Sequence, residues 1–213
     1  YDQPGEVPVV FPQDRKLTIV SEDGPFETEL VGTLSASGSI VVMHAPNPGD
    51  TLTIIGFTIR DNVVDNPGCD FCGGGITVGD LTVAKILNCI VRDNTALGTS
   101  GQSAGGILFK GSGGIIANNW ISANDGLLDP TAVGGIIVTP SANVAIVNNT
   151  IAHNTGPDGT ATAGVHIEDA TSIDMFDNNI VAFNAPGSGL SATSVLPGSE
   201  STINNLYFGN DAV

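Results

Sequence analysis

Positive charge is what this sequence has least of. Six Lys and Arg stand against 22 Asp and Glu, giving a formal net charge of −16 at pH 7. A surface of that sign repels polyanions, so nucleic acid is not an expected partner, and an acidic membrane surface is disfavoured on the same ground. Cations, positively charged partners and neutral glycans remain open. No run of residues has the length and apolarity of a membrane span. Aromatics are only 5%, while apolar residues reach 41% and charged residues 13%. That balance folds rather than staying disordered. Leu, Glu, Lys and Ala are too few for a helical bundle. With 213 residues the chain can bury one sizeable core, and residues 1–213 are read as a single domain.

Cysteine is scarce too. Cys69, Cys72 and Cys89 are an odd number, so at least one lacks an intrachain partner. Cys69 and Cys72 have the spacing of a metal or redox pair. No second pair or nearby His pair follows, which argues against structural zinc. Thioredoxin-like chemistry needs the pair between a strand and a helix, and here it lies between Pro67-Gly68 and Gly73-Gly74-Gly75. The expectation is a local loop disulfide, Cys69 to Cys72, or plain thiols.

Gly, Asn, Ser and Thr are plentiful, and they fall into a repeat. One segment occurs six times: Gly56 to Asp61, Asn88 to Asp93, Asn119 to Asn124, Asn149 to Asn154, Asn179 to Asn184 and Asn205 to Asn210. Its starts are 32, 31, 30, 30 and 26 residues apart. A second segment keeps the same beat, as Gly74-Gly75-Ile76, Gly105-Gly106-Ile107, Gly134-Gly135-Ile136 and Ala163-Gly164-Val165. A third apolar run precedes each Asn. Three short β-prone runs in about 30 residues, bounded by Gly, Asn, Asp and Pro, leave no room for a helix. A propeller blade needs four antiparallel strands and a longer repeat. One coil of a parallel β-helix needs three strands, so the expected fold is all-β: a right-handed parallel β-helix solenoid of about seven coils. At ~4.8 Å between strands, the rod is roughly 30–35 Å long.

Stacked coils superpose equivalent residues. Ile76, Ile107, Ile136 and Val165 should form one internal ladder, and Thr58, Ile90, Ile121, Ile151 and Val181 another. Each buried aliphatic side chain contributes about 1.5–3 kcal/mol. Asn88, Asn119, Asn149, Asn179 and Asn205 are read as a structural ladder at a corner. Asn tolerates the left-handed conformation there and can bond to its copies along the axis. Asp61, Asp93, Asn124, Asn154, Asn184 and Asn210 are read the same way. The column Phe57, Cys89, Trp120, Thr150, Ile180 and Leu206 should face opposite to its neighbour, and is core if the register is one residue off.

The pattern Asn-x-Ile-x-x-Asn, with Gly-Gly-Ile-x-Val between copies, resembles the right-handed parallel β-helix repeat family of pectate-lyase-like and surface proteins. Gly49 to Asn62 is especially similar to its common coil. Tyr1 looks like the end of the Pro-Gly-Thr-Tyr that often precedes such helices, so an N-terminal coil or cap is expected upstream. The resemblance implies a secreted or cell-surface protein. Members include adhesins, tailspikes, and polysaccharide lyases, hydrolases and epimerases.

The functional expectation is an extracellular structural or adhesive β-helix. Its expected contacts are self-assembly, end to end or side to side, or a surface glycan or protein. The alternative is a carbohydrate-active enzyme or glycan-binding module on the same scaffold. The candidate binding residues are Trp120, His166, Arg60, Arg92 and Glu168. The loop acids Asp65, Asp70, Asp129 and Asp158 are the candidates for calcium, without an EF-hand spacing, and no other cofactor is expected. No paired carboxylates with a base stand out as a catalytic constellation.

Overall fold

The computed structural model describes residues 9–10, 16–34, 38–45, 47–65, 72–97, 102–127, 130–157, 162–192 and 204–210. Every strand pairing among them is parallel, and strands recur in the order first, second, third sheet. The first sheet stacks Val9–Val10, Val41–Met43, Ile76–Val78, Ile107–Phe109, Ile136–Val138, Thr162–Ile167 and Ser188–Ala192. The second stacks Leu17–Val20, Thr51–Ile55, Val83–Leu87, Gly113–Ala117, Val144–Val147 and Ile173–Asp177. The third stacks Glu29–Val31, Thr58–Arg60, Ile90–Arg92, Trp120–Ser122, Thr150–Ala152, Ile180–Ala182 and Leu206–Phe208. A short fourth sheet, Val63–Val64, Thr95–Ala96 and Asp125–Gly126, carries three of the coils out of the third. The expected seven coils thus become five regular turns, from Val41 to Ala182, with a looser coil at each end. The single helical element among the described residues is one 3₁₀ turn, Ala170–Ser172.

The core is a set of aliphatic columns, one residue per coil. Ile76, Ile107, Ile136 and Val165 stack in register and are fully buried, as the repeat predicts. In the third sheet the inward column is Ile59, Val91, Ile121, Ile151 and Val181. Repeat spacing alone predicts Thr58 and Ile90 in that column. The structure places them one residue earlier, on the outer side.

The same one-residue shift corrects both polar columns. The ladder between the second and third sheets is Cys89, Asn119, Asn149, Asn179 and Asn205. Asn88 is not part of it. Asn88 aligns with Asn118, Asn148, Asn178 and Asn204, exposed residues with φ between 52° and 60° that turn the chain in left-handed conformation. Beyond the third sheet, the ladder is Asn62, Asn94, Asn124, Asn154, Asn184 and Asn210. Asp61 and Asp93 occupy the left-handed turn before it, with Ala123, His153, Phe183 and Gly209. In both ladders a carboxamide oxygen accepts from the backbone N–H of the preceding coil and, where Asn stands there, from its side-chain amide, except at Asn62, whose amide donates to the Gly38 and Gly74 carbonyls instead. The amide nitrogen then donates to a strand carbonyl of that preceding coil, as Asn124 does to Val91. Each corner amide that leaves the sheets is therefore satisfied without water.

Cys89 interrupts the first ladder. Its thiol is a free, buried group that donates to the Leu87 carbonyl, and burial pushes its pKa up. Cys89→Asn restores the missing carboxamide, which can reach the Asn119 oxygen and the Ile54 carbonyl, the stacked equivalent of the Ile86 carbonyl used by Asn119. A gain of about 1 kcal/mol in unfolding free energy is expected. An unchanged or lowered denaturant midpoint would show that the thiol is preferred for packing.

Candidate functional site

The outer face of the first sheet is roofed by the chain itself. Leu108 and Ile137 point outward, yet both are fully buried with Ala104 and Val133 in a second small apolar cluster. The connecting segments after the third sheet thus fold back over this face. Beside this roof lies a cleft of about 220 Å³ lined by Gln102, Pro130, Thr131, Val133, Thr162, His166 and Ser191. Burial alone drives the His166 pKa below its usual value, and its Nδ1 has no hydrogen-bond partner among the described residues. Glu168, two residues on, is raised by burial.

The sign of the His166 contribution follows directly. The unfolded chain takes up the proton at higher pH than the folded one, so this group's stabilisation is present above about pH 6.5 and is lost as pH falls below it. Glu168 acts oppositely, since its folded form holds a proton longer. The clean observable is therefore the difference between proteins. The Tm of His166→Gln relative to the parent should become more favourable from pH 7.5 to pH 5. A pH-independent difference would mean that His166 is not desolvated.

The outer face of the third sheet is different: in its lower half Trp120, Ile180, Leu206 and Phe208 keep large apolar side chains exposed. Alternation along each three-residue strand sends the first and third residues outward. The first outward column is Thr58, Ile90, Trp120, Thr150, Ile180 and Leu206. The other is Arg60, Arg92, Ser122, Ala152, Ala182 and Phe208. Trp120 is 50% exposed, Ile180 38% and Leu206 52%, whereas Ser122 is 8%, Ala152 7% and Ala182 2%. Small residues thus form the floor of a shallow trough, and the Trp120 column is one wall.

The opposite wall comes from the left-handed corner. His153 and Phe183 stack with ring centroids 5.2 Å apart and planes 11° from parallel. Phe208 closes the lower end edge-on to Phe183, with centroids 4.9 Å apart. Below, a Cβ on Gly209 would fall 2.4 Å from the Phe183 ring, so the missing side chain makes the ring's seat. Arg92 closes the upper end. It pairs with Asp93 and, at 3.9 Å, with Glu29. Arg60 above it binds Glu29 at 2.6 Å and also pairs with Asp61. The Arg60 hydrogen bond holds the Glu29 carboxyl below the usual carboxylate range. These arginines are a neutralised ladder rather than free cations.

The sequence candidates are therefore split. Trp120, Arg60 and Arg92 share the third-sheet face, while His166 and Glu168 belong to the first sheet. Asp65 is exposed, just after the strand Val63–Val64, and Asp70, Asp129 and Asp158 lie outside the described residues. Among the described residues, no three of His, Cys, Asp and Glu gather to hold a metal. Cys72 is disulfide-bonded, and Cys69 lies outside the described residues. The column expected to run from Phe57 to Leu206 divides in two: Phe57 and Cys89 are core, while Trp120, Thr150, Ile180 and Leu206 form the outward wall. His153, Phe183 and Phe208 are not among the sequence candidates. The signal for the first two is their place just before a buried Asn, which faces outward once the ladder is placed correctly.

Parallel stacked coils, internal aliphatic columns and buried Asn ladders define a β-helix scaffold. The chain belongs to the right-handed beta helix region family, whose model matches residues 40–212. No curated protein and no solved structure matches it. No helix among the described residues is long and apolar enough to cross a membrane.

Proposed function

We propose that this chain is a binding scaffold that works outside the cell, a structural or adhesive β-helix whose contact face is the third sheet. The observation that carries this reading is the bare trough between Trp120 and Phe183. The protein roofs its first sheet with its own loops but leaves a row of large apolar side chains uncovered here. Contiguous exposed apolar surface marks interaction sites. The disulfide at Cys72 supports an oxidising compartment.

The second reading, a carbohydrate-active enzyme, rests on the cleft at His166. Among the described residues, its lining offers hydroxyls, an amide and one imidazole, but no carboxylate. Glycoside hydrolysis needs two carboxyl groups flanking the bond, so binding is the better-supported role.

The test is retention of the purified protein on the outer surface or matrix of its own cells. Trp120→Ala should reduce retention strongly, and His166→Ala should leave it intact. Equal retention by Trp120→Ala and parent would remove the third sheet as the contact face.

A further inference from the structure

We propose that the third-sheet trough docks a short, extended, arginine-bearing segment of a partner protein. This inference rests on the binding-scaffold reading and names its partner.

Charge is the first argument. The six Lys and Arg of the chain all lie at or before Lys110. Residues 111–213, which supply the trough from Trp120 to Phe208, hold nine Asp and Glu and no Lys or Arg. The formal charge of −16 therefore divides into −7 for residues 1–110, with 13 acids and six bases, and −9 for residues 111–213. The cations at the upper end, Arg60 and Arg92, are already held by Glu29, Asp61 and Asp93. Beside the opposite wall, Asp125 stacks on Thr155, just beyond His153. A surface of this sign draws a positively charged partner and repels a second copy of this chain.

Side-chain chemistry is the second. Trp120 is half-exposed and, among the described residues, no ring stacks on its indole. A guanidinium stacks on an indole face better than an ammonium does, because it is planar and less strongly hydrated. His153 and Phe183 turn their faces to one another, so the opposite wall offers ring edges. Such an apolar wall takes the aliphatic stem of a long basic side chain. The small floor residues Ser122, Ala152 and Ala182 let a second backbone come close.

Size is the third. The four strands from Trp120–Ser122 to Leu206–Phe208 span about 15 Å at ~4.8 Å per step. An extended peptide rising ~3.3 Å per residue crosses that length in about five residues. A stable interface between folded surfaces takes about 800 Å² per partner, well beyond a trough of these dimensions.

Strain is the fourth. Phe183 has φ 54° and His153 φ 58°. The equivalent positions in two upper coils are Asp61 and Asp93, a residue type that tolerates the left-handed conformation. Below Arg92 the corner instead keeps aromatic rings that conformational preference opposes. Strain of this kind collects at ligand sites.

Trp120 is the only Trp in the chain, so its fluorescence reports on the trough. The experiment titrates the whole protein with three peptides of one design, whose basic positions are filled by arginine, by lysine or by neutral citrulline. The arginine peptide should shift Trp120 emission saturably, with an affinity that falls as salt is raised. The lysine peptide should bind several-fold more weakly, and the citrulline peptide at least tenfold more weakly. Phe183→Asn keeps a residue suited to the left-handed corner. It should weaken arginine-peptide binding at least tenfold while retaining a cooperative unfolding transition. The inference is overturned if the arginine peptide leaves Trp120 emission unchanged, or if the citrulline peptide binds equally well. It is also overturned if Phe183→Asn binds as tightly as the parent, since the peptide then follows net charge alone. A neutral oligosaccharide that shifts Trp120 where the arginine peptide does not would overturn it in favour of a glycan. If the peptide fails and Trp120→Ala still abolishes retention on cells, only the partner class is wrong. If that variant is retained like the parent, the contact face is wrong as well.

Discussion

Asn154→Ala lowers the unfolding free energy by on the order of 3–5 kcal/mol. Asn154 is fully buried in the middle of its ladder. Its oxygen accepts from the Asn124 backbone N–H at 3.1 Å and from the Asn124 side-chain amide at 3.0 Å. Its amide nitrogen donates to the Ile121 carbonyl at 3.1 Å and to the Asn184 oxygen at 2.9 Å. The substitution strands a backbone N–H, an amide proton and a carbonyl between coils too close to admit water. A buried group left unsatisfied costs about 1–3 kcal/mol. Asn148 is the control. It is exposed, and its amide oxygen accepts from the exposed Asn178 side chain. Asn148→Gly keeps the left-handed turn and should stay within about 0.5 kcal/mol of the parent. Equilibrium denaturation of both variants decides the matter. Equal midpoints would mean that the buried amides do not hold the coils together.

Gly135→Ala costs on the order of 3 kcal/mol or more, for a steric reason rather than a conformational one. A Cβ on Gly135 would lie 2.2 Å from the Gly164 carbonyl oxygen of the next coil. The obstacle is backbone, so no side chain can swing away. Relief requires parting two coils whose hydrogen bonds fix them ~4.8 Å apart. Gly106 meets the Gly135 carbonyl in the same way, at 2.5 Å, so the Gly column is a line of close approach along the rod. A Cβ placed on Gly38 would meet nothing within 4 Å, and that residue has no positive φ. Gly38→Ala should therefore be neutral or slightly stabilising. A Gly135→Ala protein that melts with the parent would contradict the packing at this corner.

The aliphatic column of the first sheet was legible because β-branched residues recur at one fixed place in each unit, whereas that of the third sheet slipped by one residue at Thr58 and Ile90. The polar columns were legible in kind but slipped in register, and the cause is physical. Two adjacent positions both favour Asn for different reasons. One turns the chain left-handed in solvent, and the next donates and accepts inside. Asn118-Asn119, Asn148-Asn149, Asn178-Asn179 and Asn204-Asn205 satisfy both. In the coil of Asn88-Cys89 only the turn keeps its Asn, so spacing alone aligns Asn88 with Asn119. The pairs Asp61-Asn62 and Asp93-Asn94 hide the second ladder in the same way. That slip carries Trp120 into a column with Phe57 and Cys89, which are core.

The trough was illegible for a related reason. Trp120, Phe183 and Phe208 come from three columns and three coils. Their proximity exists only once pleat and corner are both set. The roof over Leu108 and Ile137 was hidden too, since loop residues such as Ala104 and Val133 carry no periodic mark of which face they cover.

The register of the two Asn ladders decides which residues are core and which form the trough, so side-chain amide exchange is the most direct measurement. Hydrogen exchange followed by NMR should show the Asn119, Asn124, Asn149 and Asn154 carboxamides protected like neighbouring strand amides. The Asn88, Asn118 and Asn148 carboxamides should exchange freely. The reverse pattern, or free exchange at Asn124 and Asn154, would contradict the account and return Trp120 to the core.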